Sequence, residues 1–176
     1  MRRNPDLRFS FTLAAVASNN SNSLNATGQW VMQAIANEGL KHYFINLMVM
    51  NYGQAEPGNC VVRANQCDMA ASAIRAVNNL SLQYHIPLYR IEVTPMIGIN
   101  DVVTNVFTLE DAQKLTTFAQ TYGLGGLHFW SINRDVPCTD DLARTSALCH
   151  GLSAKRKLAF TEVFSQLTEP NKLTNK

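Results

Sequence analysis

The side chains best suited to gripping a ligand sit where apolar runs give way to polar ones. The run from Tyr43 ends in Met50-Asn51-Tyr52-Gly53, and the run from Gly126 ends in Trp130-Ser-Ile-Asn133-Arg134-Asp135. On a strand, Met50 and Tyr52 point the same way, so a thioether and a phenol would line one side of a pocket. Trp130 offers a flat ring that can stack against the apolar face of a sugar. The plainer roles are core packing for Met50 and Tyr52, and a plug at the sheet end for Trp130. Acid–base chemistry has three candidate carboxylates: Glu92, Asp101 and Asp135. Glu92 falls inside a strand, where a buried acid needs a partner. Asn133-Arg134-Asp135 reads first as a turn cap. His42, His85, His128 and His150 form no HExxH or paired spacing, so no metal is assigned. Gly123-Leu-Gly-Gly126 is not followed by a helix, and no GxSxG elbow occurs, so no phosphate-bearing cofactor is implied.

These positions need elements to hold them. Leu7, Phe9, Phe11 and Leu13 alternate with polar residues, the period of a strand. A helical pattern follows, with Trp30, Val31, Ala34 and Ile35 on one face and Gly39 as its stop. Tyr43 to Met50 reads as a strand buried on both faces. After a Gly/Pro-bearing loop from Gly53 to Asn65, a helix begins near Asp68 with Ala70, Ile74, Val77 and Leu80 on one side. Leu88 to Met96 is the third strand and Ile97 to Phe107 a loop. Thr108 is an N-cap, with Glu110 and Asp111 in the first turn where the helix dipole favours negative charge. Gly126 to Trp130 is the fourth strand, and a last helix carries Phe160, Val163, Phe164 and Leu167. The order β-α-β-α-β-α-β-α implies parallel strands with right-handed crossovers. Four such units cannot close an eight-stranded barrel, so the fold class is α/β, either a half-barrel or a small open sheet. Ligands of such folds bind at the carboxyl ends of the strands, where segments 14–20, 50–53, 96–101 and 130–135 lie.

Composition narrows the field. The 176 residues are 46% hydrophobic and 16% charged with a formal net charge of +2, which suits one globular domain over 1–176. That charge is too small for a nucleic-acid footprint, Lys and Arg being clustered only at Arg2-Arg3 and Lys155-Arg156-Lys157. No apolar stretch reaches the ~20 residues of a membrane span. Cys60, Cys67, Cys138 and Cys149 show no CxxC spacing; two local disulfides are the better reading, though four cysteines allow three connectivities. Disulfides suggest an oxidising compartment. Residues 7–17 also imitate a secretion signal, with Ala15-Val16-Ala17 as the cleavage site, but their period of two favours a strand.

Five phrases, taken in order, resemble the C-terminal half of the family 18 glycoside hydrolases, the chitinases. They are Phe11-Thr12-Leu13, Asn46-Leu-Met-Val-Met-Asn-Tyr-Gly53, Thr94-Pro-Met-Ile-Gly-Ile-Asn-Asp101, Val106-Phe-Thr-Leu-Glu-Asp-Ala112 and Gly126-Leu-His-Phe-Trp-Ser-Ile-Asn-Arg-Asp135. The resemblance runs from about residue 7 to residue 167 and is strongest to secreted bacterial-type members with a Cys-closed loop before the last helix. It implies the fifth to eighth units of a (β/α)8 barrel that cleaves β-1,4 bonds between N-acetylglucosamine units. It also implies substrate-assisted catalysis, in which the substrate's own acetamide is the nucleophile, an exception to the two-carboxylate scheme. By resemblance, Tyr52 positions the acetamide, Met50 packs beside it, and Trp130 forms the floor under the reacting sugar. Asn51, Asn133 and Asp135 complete the implied substrate contacts, with no cofactor and an extracellular location. Two departures stand out. The DxxDxDxE motif carrying the family's proton donor does not occur in this sequence, and Asn51 stands where relatives commonly have Asp. The chain is therefore expected to bind chitin or N-acetylglucosamine oligosaccharides without turning them over alone. The alternative is a non-catalytic chitin-binding, chitinase-like module. A half-barrel would also expose an apolar inward face, a route to self-association.

Overall fold

The period-two segment near the start forms β1, Phe9–Ala14. The computed structural model describes residues 7–139, 144–153 and 156–167; Arg2, Arg3 and Lys155 of the basic clusters lie outside them. β1 pairs in parallel with β2, Tyr43–Met48, in the register Phe9↔Tyr43 through Ala14↔Met48. The strand alternative for residues 7–17 is therefore the one the chain adopts. Between them runs α1, Ala26–Asn37, whose N-cap Asn25 accepts from the backbone N–H of Gly28. After β2 come a hairpin, β3 Val62–Arg63 and β4 Gln66–Cys67, and then α2, Met69–Tyr84, capped by Asp68. β5, Ile91–Thr94, precedes a second hairpin of β6, Gly98–Ile99, and β7, Val106–Phe107. α3, Leu109–Tyr122, opens with a reciprocal Thr108–Asp111 capping box and closes on Gly123 at φ 65. β8, Gly126–Leu127, and α4, Ala159–Phe164, follow among the described residues.

The main sheet has the order β1-β2-β5-β8 with every pairing parallel, so four βα units follow one another around a wall. Ile45, Leu47, Val49, Ile91 and Val93 are fully buried and form one core with Met32, Ile35, Val77, Leu80, Leu115 and Phe160 from the helices. Burial of such side chains contributes roughly 1.5–3 kcal/mol each and fixes which side of the sheet the helices cover. Cys60–Cys67 and Cys138–Cys149 are both bonded, which settles the connectivity left open by spacing.

Four local expectations need correction. α1 buries Gly28, Met32 and Ile35 and leaves Trp30 72% exposed, because Gly28 brings the helix against Leu24, where a Cβ would sit 3.1 Å from the leucine. Residues 88–90 form a 3₁₀ turn, so the third strand starts at Ile91. Residues 97–107 are a hairpin, with Gly98 paired to Phe107 and Ile99 to Val106. The sheet face opposite the helices is mixed, not wholly apolar: Phe44 and Met48 share it with Ser10, Thr12, Asn46, Glu92 and Thr94. There Glu92 is buried, accepts from Ser10 at 2.6 Å and pairs with Arg8, while Asn46 donates to Thr12 at 3.3 Å and accepts from Thr94 at 2.8 Å. An unsatisfied polar group is costly to bury, whereas this network satisfies its own members and needs no apolar partner.

Candidate functional site

At the carboxyl edge, β2 ends at Met48 and its backbone passes through Asn51 in the left-handed region, φ 52. Asn tolerates that conformation better than most side chains. The twist ends strict alternation: Met50 is half-buried, whereas Tyr52 is only 7% exposed. Neither Met50 nor Tyr52 lies within a strand, so strand alternation does not fix how the two side chains face.

The β6–β7 hairpin clamps this turn. Asn100 and Asn105 are buried; the Asn51 N–H donates to Asn100 Oδ1 at 3.2 Å, and the Tyr52 N–H to Asn105 Oδ1 at 2.7 Å. Asn105 Nδ2 returns a bond to the Gly53 carbonyl at 3.0 Å. The Asn51 side chain uses both its ends: Nδ2 donates to Asp101 Oδ2 at 3.0 Å, and Oδ1 accepts from the Val102 N–H at 3.0 Å. A carboxylate at position 51 could not donate the first of these bonds. The Tyr52 hydroxyl is buried with no hydrogen-bond partner among the described residues. Burial pushes its pKa up, so it stays a protonated donor at every physiological pH. A buried, unused hydroxyl at a sheet's carboxyl edge is a group a ligand can satisfy.

Trp130 reaches the same edge by another path. It bridges Met96 in parallel; its N–H donates to Pro95 O at 2.8 Å, and its carbonyl accepts from Ile97 N at 3.0 Å. Asn100 Nδ2 donates to Met96 O at 2.8 Å, which links the Trp130 segment to the Asn51 turn through one side chain. The indole is 59% exposed, available as a stacking platform. The Trp130–Ser131 peptide is cis.

The remaining predicted residues divide. Asn133 is exposed and donates to the Ala147 carbonyl of the Cys138–Cys149 loop. Asp135 is completely buried; its carboxylate accepts from Phe160 N at 3.1 Å and from Thr161 N and Oγ1, both at 2.7 Å. It thus caps α4 from 25 residues away, which is not the local turn cap expected of the triplet. Sequence reasoning missed Arg134, which is buried and donates to the carbonyls of Ile97 at 2.9 Å, Ile99 at 2.7 Å and Ser146. Burial lowers its pKa, and the charge of Asp101 opposes that shift. His150 is likewise buried beside Phe160 with its pKa lowered by burial, and its Nδ1 accepts from Leu152 N at 3.0 Å. Among the described residues no group of His, Cys, Asp and Glu could hold a metal ion, and no helix is long and apolar enough to cross a membrane.

No protein-family model matches the chain. It is 32% identical over 156 residues, 83% of its length, to a probable bifunctional chitinase/lysozyme of Escherichia coli (strain K12), of which it covers 17%. It is 31% identical over 131 residues, 70% of its length, to endochitinase 11 of Metarhizium anisopliae, of which it covers 25%. Among solved structures it resembles the catalytic domain of the hyperthermophilic chitinase from Pyrococcus furiosus, with a TM-score of 0.73 and 30% identity over 94% of this chain and 52% of that one. Catalytic-site mutants of the same enzyme complexed with chito-oligosaccharides match with a TM-score of 0.72. The chain therefore spans a quarter or less of the curated relatives and about half of the solved chains. In sequence and fold it is similar to chitinases, consistent with family 18 of the glycoside hydrolases, and it carries about four βα units around a parallel sheet.

Proposed function

We propose that this chain, folded as a single domain, supplies the substrate-gripping part of a secreted chitin hydrolase acting by substrate-assisted catalysis. Tyr52 donates its phenolic hydroxyl to the N-acetyl group of the sugar and holds it in its attacking pose. Trp130 stacks beneath the ring, and Met50 flanks it. Asn51 acts indirectly, by fixing the turn that carries Tyr52. Asn133 holds the loop beside Trp130, while Asp135 supports the same segment from below through α4. The general acid would come from a DxxDxDxE segment, which this sequence does not contain. Such an acid typically contributes a 10²–10⁴-fold effect. Two disulfides among the described residues fit an oxidising, extracellular setting.

The observation that carries this reading is the buried, unpartnered Tyr52 hydroxyl, on a turn clamped at the carboxyl edge of a parallel sheet. Titration of the purified chain with N,N′,N″-triacetylchitotriose, followed by NMR, tests it. Shifts centred on Tyr52 and Trp130 are expected, with affinity lost in Trp130→Ala and reduced about tenfold in Tyr52→Phe, the order of one hydrogen bond in a desolvated site. Wild-type affinity in both variants overturns the assignment. The same preparation is expected to release no fluorophore from a chitobiose reporter, and clear turnover would show that the acid lies within these residues.

A further inference from the structure

Asn100, the residue after β6, is completely buried, and its side chain is bonded at both ends. Oδ1 accepts from the Asn51 N–H at 3.2 Å, while Nδ2 donates to the carbonyls of Met96 at 2.8 Å and Gly98 at 3.1 Å. Its backbone N–H donates to the Asn105 carbonyl at 3.0 Å, and Asn105 Oδ1 in turn accepts from the Tyr52 N–H. On the other side, Met96 pairs with Trp130 in a parallel bridge, and the residues flanking it, Pro95 and Ile97, bond the Trp130 backbone. The turn carrying the Tyr52 phenol and the segment carrying the Trp130 indole come from different βα units. They meet at this one amide.

The amide is matched to the position. It brings two N–H donors to two carbonyls and an oxygen to an amide N–H, a set that neither a carboxylate nor an apolar side chain supplies. A buried network whose members are satisfied fixes one arrangement of the groups attached to it. A hydroxyl and a stacking ring act together on one sugar only when their separation is held, and a misplacement of about 1 Å is costly.

We infer that Asn100 is a positioning residue, which sets the Tyr52 hydroxyl against the Trp130 ring and so makes the two grip an N-acetylated sugar as one unit. This inference rests on the sugar-binding reading above. The test measures affinity for N,N′,N″-triacetylchitotriose by calorimetry in the parent, Tyr52→Phe, Asn100→Ala and the double variant. Tyr52→Phe is expected to cost about tenfold in the parent, but about twofold or less once Asn100→Ala is present, because a displaced hydroxyl has little left to lose. A merely structural role would lower only the folded fraction, which scales both members of each pair alike and keeps the tenfold ratio. An unchanged ratio therefore overturns the inference while leaving the sugar-binding reading in place. No effect of Tyr52→Phe in the parent overturns both. Where Asn100→Ala does not fold, NMR of the parent decides: the Asn100 Nδ2 proton resonances are expected to shift on saturation with the trisaccharide, although the residue is buried. Static Asn100 resonances beside shifted Tyr52 and Trp130 signals overturn the inference.

Discussion

The hydroxyl of Ser10 on β1 donates to the carboxylate of Glu92 on β5 at 2.6 Å, reaching across β2, which lies between them. Strands two apart are separated by roughly 10 Å in a flat sheet. A concave wall turns inward-facing side chains toward one another, and this bond is a consequence of that curvature. Glu92→Ala leaves Ser10 without its acceptor and is expected to lower unfolding free energy by roughly 2 kcal/mol. Glu92→Gln keeps an acceptor for Ser10 and should cost about half as much. Urea unfolding of the two variants measures the difference.

Gly98 sits at φ +74, and a Cβ there would lie 1.9 Å from the His150 carbonyl oxygen, which also accepts from the Ile99 N–H at 2.9 Å. Gly98→Ala therefore combines left-handed strain with a backbone clash that no rotamer relieves. A loss of about 3 kcal/mol or more is expected. Limited proteolysis should show the Cys138–Cys149 loop cut first, since its landing point has moved.

His150 gives a pH signature. Its pKa is lowered in the folded chain, so between that lowered value and its ordinary value near 6.5 the unfolded chain binds more protons. Stability is therefore expected to fall as pH drops through about 6.5. His150→Asn keeps an acceptor for Leu152 N and removes the titrating ring, so its melting temperature should vary less between pH 7.5 and 5.5 than that of the parent. Equal slopes would show that other groups set the acid limit.

Asn51→Asp tests the clamp itself. The substitution exchanges an amide donor for a second carboxylate facing Asp101, at a contact now 3.0 Å long. Like charges raise the folded pKa of the pair, so stability is retained at low pH and lost as pH rises through the raised value. Both residues are exposed, which limits the loss at pH 7 to about 0.5–1 kcal/mol. Asp101→Asn in the same chain should restore it, as a double-mutant cycle by thermal melting would read.

Strand, helix and cap positions were legible wherever local chemistry decides them. β1 followed from alternation, Thr108 and Asp68 from cap chemistry, and both disulfides agree with the short spacings. The exposure of Trp30 is set locally, by Gly28 against Leu24 four residues earlier. The other failures come from contacts distant in sequence: the β6–β7 hairpin is held by Asn100, Asn105 and the remote His150 carbonyl. Periodicity cannot register a partner fifty residues away. The same limit hid Arg134, whose burial depends on three carbonyls from two other segments.

The cap that Asp135 places on α4 bears on the order of assembly. Leu158 occupies the N-cap with φ 58 and makes no side-chain cap bond, and α4 has only six residues. An isolated helix so short cannot persist in water. It must wait until the strand-8 exit delivers Asp135, so it docks late, and native-state hydrogen exchange should find its amides opening before those of the central strands.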